Sequence, residues 1–103
     1  MTGVCLVLCT VSRGSEDALV ERILEAGLAA CVNLVGPVRS RYRWKGAIET
    51  SEECLLLIKT AAERVAELRD RLVEWHEYEV PEVLVFDADS GFDRYLAWVR
   101  DES

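Results

Sequence analysis

Histidine occurs once, at position 76, and proline only at positions 37 and 81. A single imidazole excludes His-rich metal centres. The four cysteines (Cys5, Cys9, Cys31, Cys54) include no Cys-x-x-Cys pair, so neither a zinc ribbon nor a thioredoxin-type redox motif is available. Positive charge is also short: 12 Lys and Arg face 19 Asp and Glu, a net charge of −7. A field of that sign repels phosphate backbones and argues against nucleic acid as a partner. No apolar stretch approaches the roughly 20 residues of a membrane-spanning helix. The apolar run Val4 to Val11 lacks the basic flank and small-residue cleavage site of a signal peptide. The expectation is a cytoplasmic protein, away from membranes, with free thiols. Linkers, repeats and low-complexity segments are missing too, so residues 1–103 read as one domain.

Half of the residues are hydrophobic, yet a chain of this size buries only about two-thirds of its unfolded surface. The surplus predicts self-association. Val4 to Val11 reads as a strand covered on both faces. Ser15, Glu16 and Asp17 open a helix whose buried face is Leu19, Val20, Ile23 and Leu24, with Gly27 as its left-handed stop. Ala30 to Val35 is a second strand, interrupted by a bulge at Gly36-Pro37 and resumed from Val38 to Trp44. Lys45-Gly46 turns the chain back through Ala47-Ile48-Glu49 to the run Cys54 to Ile58, making a long hairpin. Arg39, Arg41 and Arg43 on one arm and Glu49, Glu52 and Glu53 on the other suit cross-strand ion pairs.

Thr60-Ala61-Ala62-Glu63 has the form of a capping box. Val65, Leu68, Leu72 and Trp75 then mark a helical stripe, with Glu67 and Arg71 paired on the exposed side. Val83 to Phe86 is a last strand. Ser90-Gly91-Phe92-Asp93 opens a closing helix with Phe92, Tyr95, Leu96 and Val99 on one face. The order predicts an α+β, ferredoxin-like βαββαβ sandwich with an extra C-terminal helix and a long β2–β3 hairpin. One sheet face is left uncovered and the hairpin overhangs, so a partner chain is expected.

The run His76-Glu77-Tyr78-Glu79-Val80-Pro81-Glu82 is the first candidate site, since it crowds an imidazole, carboxylates and a phenol into a helix-to-strand junction. Imidazole with carboxylates and a thiolate suits copper or zinc; the competing reading is a histidine held by the helix C-terminus. Cys5 and Cys9 share a strand face and are either core or soft-metal ligands, with Cys9 nearer the strand end. Arg39, Arg41, Arg43 and Lys45 are either an anion-binding face or a solvated, ion-paired one. Trp44, Trp75 and Trp98 suit core and subunit interface. Glu77, Glu79 and Glu82 lack any Ser-His-Asp relation or marked substrate position, so no enzyme is expected. Ser12-Arg13-Gly14-Ser15 is a faint echo of the phosphate loop of a small hydrolase.

Five motifs in order resemble the CutA family of divalent-cation tolerance proteins: Leu28-Ala29-Ala30-Cys31-Val32-Asn33, Ser40-x-Tyr42-x-Trp44-x-Gly46, Leu56-x-Ile58-Lys59-Thr60, His76-x-Tyr78-Glu79-Val80-Pro81-Glu82 and Tyr95-Leu96-x-Trp98. The resemblance runs from about Val4 to Val99. It implies a homotrimer with hairpins packed between subunits. It also implies no obligatory cofactor, and Cu(II) or another divalent cation as ligand. In the metal-binding members the ligands correspond here to Cys9 of Cys9-Thr10 and to His76. Trp75 stands where a second histidine is usual, and Glu77 replaces a proline, so Cys9, His76 and Glu77 form the expected metal set. The rival expectation is a trimeric regulatory module holding a small anion between subunits, with Arg39, Arg41, Arg43 and Lys59 as contacts and Tyr42 and Trp44 as an apolar wall.

Overall fold

The computed structural model describes residues 1–103, in the order β1 (Val4–Ser12), α1 (Glu16–Glu25), β2 (Cys31–Trp44), β3 (Ala47–Ala61), a 3-10 turn (Ala62–Arg64), α2 (Val65–Trp75), β4 (Leu84–Asp87) and α3 (Asp93–Glu102). The four strands form one sheet in the order β2-β3-β1-β4, with every neighbouring pair antiparallel. This is the expected mixed α+β arrangement, and the helix-facing side of its sheet holds the core. Val7, Cys9 and Val11 of β1 meet Ile58, Leu56 and Cys54 of β3 across the ladder. Against them pack Leu19, Val20 and Ile23 of α1 and Leu68 and Leu72 of α2. A smaller cluster of Val4, Leu96 and Val99 docks α3 at the sheet's end.

The alternate residues of β1, Leu6, Leu8 and Thr10, are only half-buried. β1 is therefore covered on one face in a single chain, not on both, because α1 and α2 both pack on the same side of the sheet. Only 20 of the 103 residues are buried, fewer than a half-hydrophobic chain can use. Leu24 is exposed, unlike the rest of its predicted stripe, and so are Phe92, just before α3, and Tyr95 on it.

The hairpin runs out to give a molecule 44 × 26 × 23 Å. Its two-residue turn puts Lys45 at φ 50° and Gly46 at φ 83°, the double left-handed geometry whose twist matches antiparallel strands. The register slips between Val35 and Val38, at the expected bulge. Beyond the slip Val38 faces Glu53, Ser40 faces Ser51, Tyr42 faces Glu49 and Arg39 faces Glu52. Opposed residues share a face, so one hairpin face carries Tyr42, Trp44 and Glu53, and the other carries the three arginines.

The predicted cross-strand ion pairs do not form, although Arg39 stands opposite Glu52. None of Arg39, Arg41 and Arg43 is bridged to an acid, and Glu52 pairs instead with Arg13 at 2.8 Å. Arg41 and Arg43 lie opposite Thr50 and Ile48, which offer no charge. The capping box also fails: β3 continues through Thr60, whose buried hydroxyl donates to the Leu28 carbonyl at 2.7 Å. The helix pair differs as well, with Arg64–Glu67 and Arg71–Glu74 forming in place of Glu67–Arg71.

Candidate functional site

α2 ends where His76 leaves helical geometry while its N–H still donates to the Leu72 carbonyl at 2.9 Å. The ring then reaches β1. Its Nε2 lies 2.8 Å from the Thr10 carbonyl, which can only accept, so Nε2 carries the proton. Nδ1 in turn accepts the Tyr78 N–H at 3.1 Å. A neutral imidazole with both nitrogens engaged is a clasp between the α2 terminus and β1. Tyr78 continues from this clasp, its ring 4.6 Å from that of His76. Its phenol donates to Glu53 Oε2 at 2.8 Å. Burial, and after it the hydrogen bond to the Glu53 carboxylate, pushes the Tyr78 phenol well above its ordinary 10.0.

The three residues expected as metal ligands do not fit a copper ion in this arrangement. His76 has no free nitrogen lone pair. Cys9 is fully buried on the helix side of the sheet. Desolvation, reinforced by the charges of Glu82 and Glu53, pushes its thiol up to about 12, so it holds its proton at neutral pH. Glu77 is exposed and receives the Ser12 hydroxyl. No three His, Cys, Asp or Glu side chains in the chain gather as a metal cluster. Trp75, at the position of the second histidine, packs under the Arg22 guanidinium at 4.4 Å.

The Cys9 shift carries its own expected outcome. Above pH 9.0 the unfolded chain loses this proton, while the folded chain keeps it to about 12. Folding stability therefore falls as pH rises through that window, by up to about 1.4 kcal/mol per pH unit for one group. Urea midpoints at pH 8 and pH 10.5 should differ more in wild type than in Cys9→Ala. Equal differences would contradict the assignment.

What the fold does bring together lies on the open face of the sheet. Tyr42, Trp44 and Ser40 of β2, Glu53 of β3, Thr10 of β1 and the Tyr78–Glu82 segment line an open cleft of about 580 Å³. Glu53, Glu79 and Glu82 are its acids. Arg41 borders it, although the register turns Arg41 toward the opposite hairpin face. The sequence reading named Tyr78, Glu79 and Glu82 as neighbours in the chain. It missed Glu53, which is separated from Tyr78 by 25 residues and is only 6 % exposed. The signal was present in the two-residue turn, which sets Glu53 opposite Val38 and hence on the aromatic face.

The Ser12–Ser15 loop is not a phosphate cradle. Gly14 N–H donates to Glu16 Oε2 at 2.7 Å, Arg13 pairs with Glu52, and Ser15 donates to the Ser12 carbonyl. Its donors already serve the protein.

Residues 5–102 match the family described as CutA1 divalent ion tolerance protein. The chain belongs to the CutA1 family. The divalent-cation tolerance protein CutA of Thermus thermophilus is 36% identical over 95% of this chain and 96% of its own length. Human protein CutA is 43% identical over 91% of this chain, which spans 52% of the human protein. The chain likewise spans about half of the chloroplastic Arabidopsis thaliana relative. Among solved structures, the Thermus thermophilus CutA1 superposes with a TM-score of 0.92 at 36% identity, covering 97% of this chain and 98% of that one. A protein of Nostoc sp., described as PII-like protein CutA in apo form, gives 0.91 at 30% identity over 95% of both chains. The CutA1 description names tolerance to divalent ions and no catalysed reaction.

Proposed function

We propose that this chain serves divalent-cation tolerance as a non-catalytic homotrimer, gathering cations at the open-face cavity rather than at Cys9 and His76. The observation that carries the reading is the cavity itself, with the three carboxylates Glu53, Glu79 and Glu82 in a chain of net charge −7. Spread acids with no enclosing cluster favour weak, exchangeable ion contacts over a resident metal. The trimer is supported by exposed apolar side chains on the sheet, among them Leu34, Trp44 and Phe86, in a patchwork too extensive for a monomer of this size. The PII-like description of the Nostoc neighbour supports the role of a regulatory module. Of the arginines proposed as anion contacts only Arg41 lines the cavity, where it faces the three carboxylates Glu53, Glu79 and Glu82, a balance that weighs against an anionic ligand. Four free cysteines support a reducing compartment, the cytoplasm.

Titration of Cu(II) and Mn(II) into wild type, His76→Ala and the triple variant Glu53→Gln, Glu79→Gln, Glu82→Gln tests the site. Binding is expected to survive in His76→Ala and to weaken at least tenfold in the triple variant, in line with the loss of charge-assisted contacts of roughly 1.5 kcal/mol or more. Loss in His76→Ala with retention in the triple variant would return the site to Cys9 and His76.

A further inference from the structure

We propose that the cleft between α1 and the end of α2 binds a small aliphatic α-amino acid, with the carboxylate on Arg22, the ammonium on Glu77 and the side chain against Val11 and Leu19. This cleft lies on the helix side of the sheet, where Val11 and Leu19 belong to the main core. A trimer built on the opposite, open face leaves it in solvent.

Two opposite charges carry the inference. Arg22 and Glu77 are the only ionised side chains on the lining, yet they form no salt bridge with each other. Each is held by a different group. The Arg22 guanidinium lies over the Trp75 ring, 4.4 Å from its centre, a contact that fixes its plane. Glu77 receives the Ser12 hydroxyl. It also follows directly on His76, whose two engaged nitrogens hold the backbone there. With both ends anchored, the cleft stays open between them instead of closing into an ion pair. The Arg22 donors are unused as well, since guanidinium hydrogen bonds within the chain come from Arg13, Arg71 and Arg100 alone. Stacking on an indole occupies the face of the group and leaves the N–H fork at its edge for a planar carboxylate.

The floor sets the rest of the ligand. Val11 is 2% exposed and Leu19 9%, so an aliphatic group set on them covers the last apolar surface they show to water. The cleft measures about 200 Å³, below the roughly 300–1,000 Å³ of pockets for drug-sized ligands. Nucleotides and peptides are too large for it, and a single ion leaves the floor uncovered. A simple carboxylate brings an anion up to Glu77, and a simple amine brings a cation up to Arg22. A molecule with both charges on one carbon answers both walls. Ser15, whose hydroxyl proton goes to the Ser12 carbonyl at 2.8 Å, keeps oxygen lone pairs for a further ammonium N–H.

The test is isothermal titration of L-valine, isovalerate, isobutylamine and glycine into the full chain in its native assembly. The first three share one side chain and differ in which charges they carry. Wild type, Arg22→Gln and Glu77→Gln are compared after circular dichroism has checked their fold; both side chains are exposed and outside the buried clusters. L-valine is expected to bind at least tenfold tighter than isovalerate or isobutylamine, and glycine about threefold or more weaker than L-valine for want of the floor contact. Arg22→Gln should weaken L-valine roughly tenfold or more and leave isobutylamine unchanged. Glu77→Gln should weaken L-valine to a similar degree and leave isovalerate unchanged. Absence of L-valine binding at millimolar concentration overturns the proposal, and so does binding indifferent to both substitutions. Isovalerate binding as tightly as L-valine reduces the cleft to an anion contact on Arg22 and overturns it too. None of these results bears on Mn(II) uptake at the open face, which the triple carboxylate variant reads separately.

Discussion

Phe86→Asp is expected to reduce the assembly to a chain sedimenting at 11.6 kDa instead of three times that mass. β4 is an edge strand of four residues, bonded to β1 on one side and open on the other. Every one of its residues is exposed, with Leu84 and Phe86 each at 50%. An apolar strand edge left in water is a template for indiscriminate pairing, so a stable protein must cover it. In the proposed trimer a second copy does so. A buried phenylalanine contributes roughly 3–5 kcal/mol relative to a small side chain, and an ionised aspartate adds a desolvation penalty to that loss. Each subunit contact would weaken by about a thousandfold or more on those magnitudes, and a closed ring loses all of its contacts together. Since Phe86 contributes nothing to either buried cluster, the isolated chain should keep its circular dichroism. Sedimentation equilibrium at micromolar concentration reads the outcome, and an unchanged mass would remove β4 from the interface.

Leu68→Ala is expected to lower the melting temperature by roughly 10–30 °C, corresponding to about 2–5 kcal/mol in a domain of this length. Leu68 is fully buried on α2 and belongs to the main cluster with Leu72, Ile58 and Leu56. The core is small, so neighbouring side chains have little freedom to close the cavity that the substitution opens. Val73, five residues along the same helix, is 54% exposed. Val73→Ala should stay within about 0.5 kcal/mol. A thermal melt of both variants checks the contrast. Similar shifts would mean that the face of α2 packed on the sheet has been misassigned.

Much of the fold could be read from residue order because its determinants are local. The position of β1, the stripe of Leu68 and Leu72, the left-handed Gly27 and the bulge at Gly36-Pro37 each depend on a few adjacent residues, whereas the period-two burial of β1 was not among the expectations. The failures share a different cause. Thr60 looked like a helix cap, but its hydroxyl is taken by Leu28, 32 residues away in the chain. Glu52 looked like a partner for a hairpin arginine, but Arg13 of the β1–α1 loop competes for it at 2.8 Å. The single chain does not gather Cys9, His76 and Glu77 into one cluster: Cys9 faces the helices, and His76 has both nitrogens engaged.

Taken alone, the amino-acid order determined the succession of elements, the two-residue turn of the hairpin, the apolar surplus that calls for other copies, and the kinship with divalent-cation tolerance proteins. Folding decided which side chains meet. It brought Tyr78 to Glu53, set Thr10 against His76 and kept Arg39 and Arg43 off the aromatic wall. Those outcomes depend on strand register and on competition among distant hydrogen-bond partners, quantities that exist only once segments far apart in the chain are packed together.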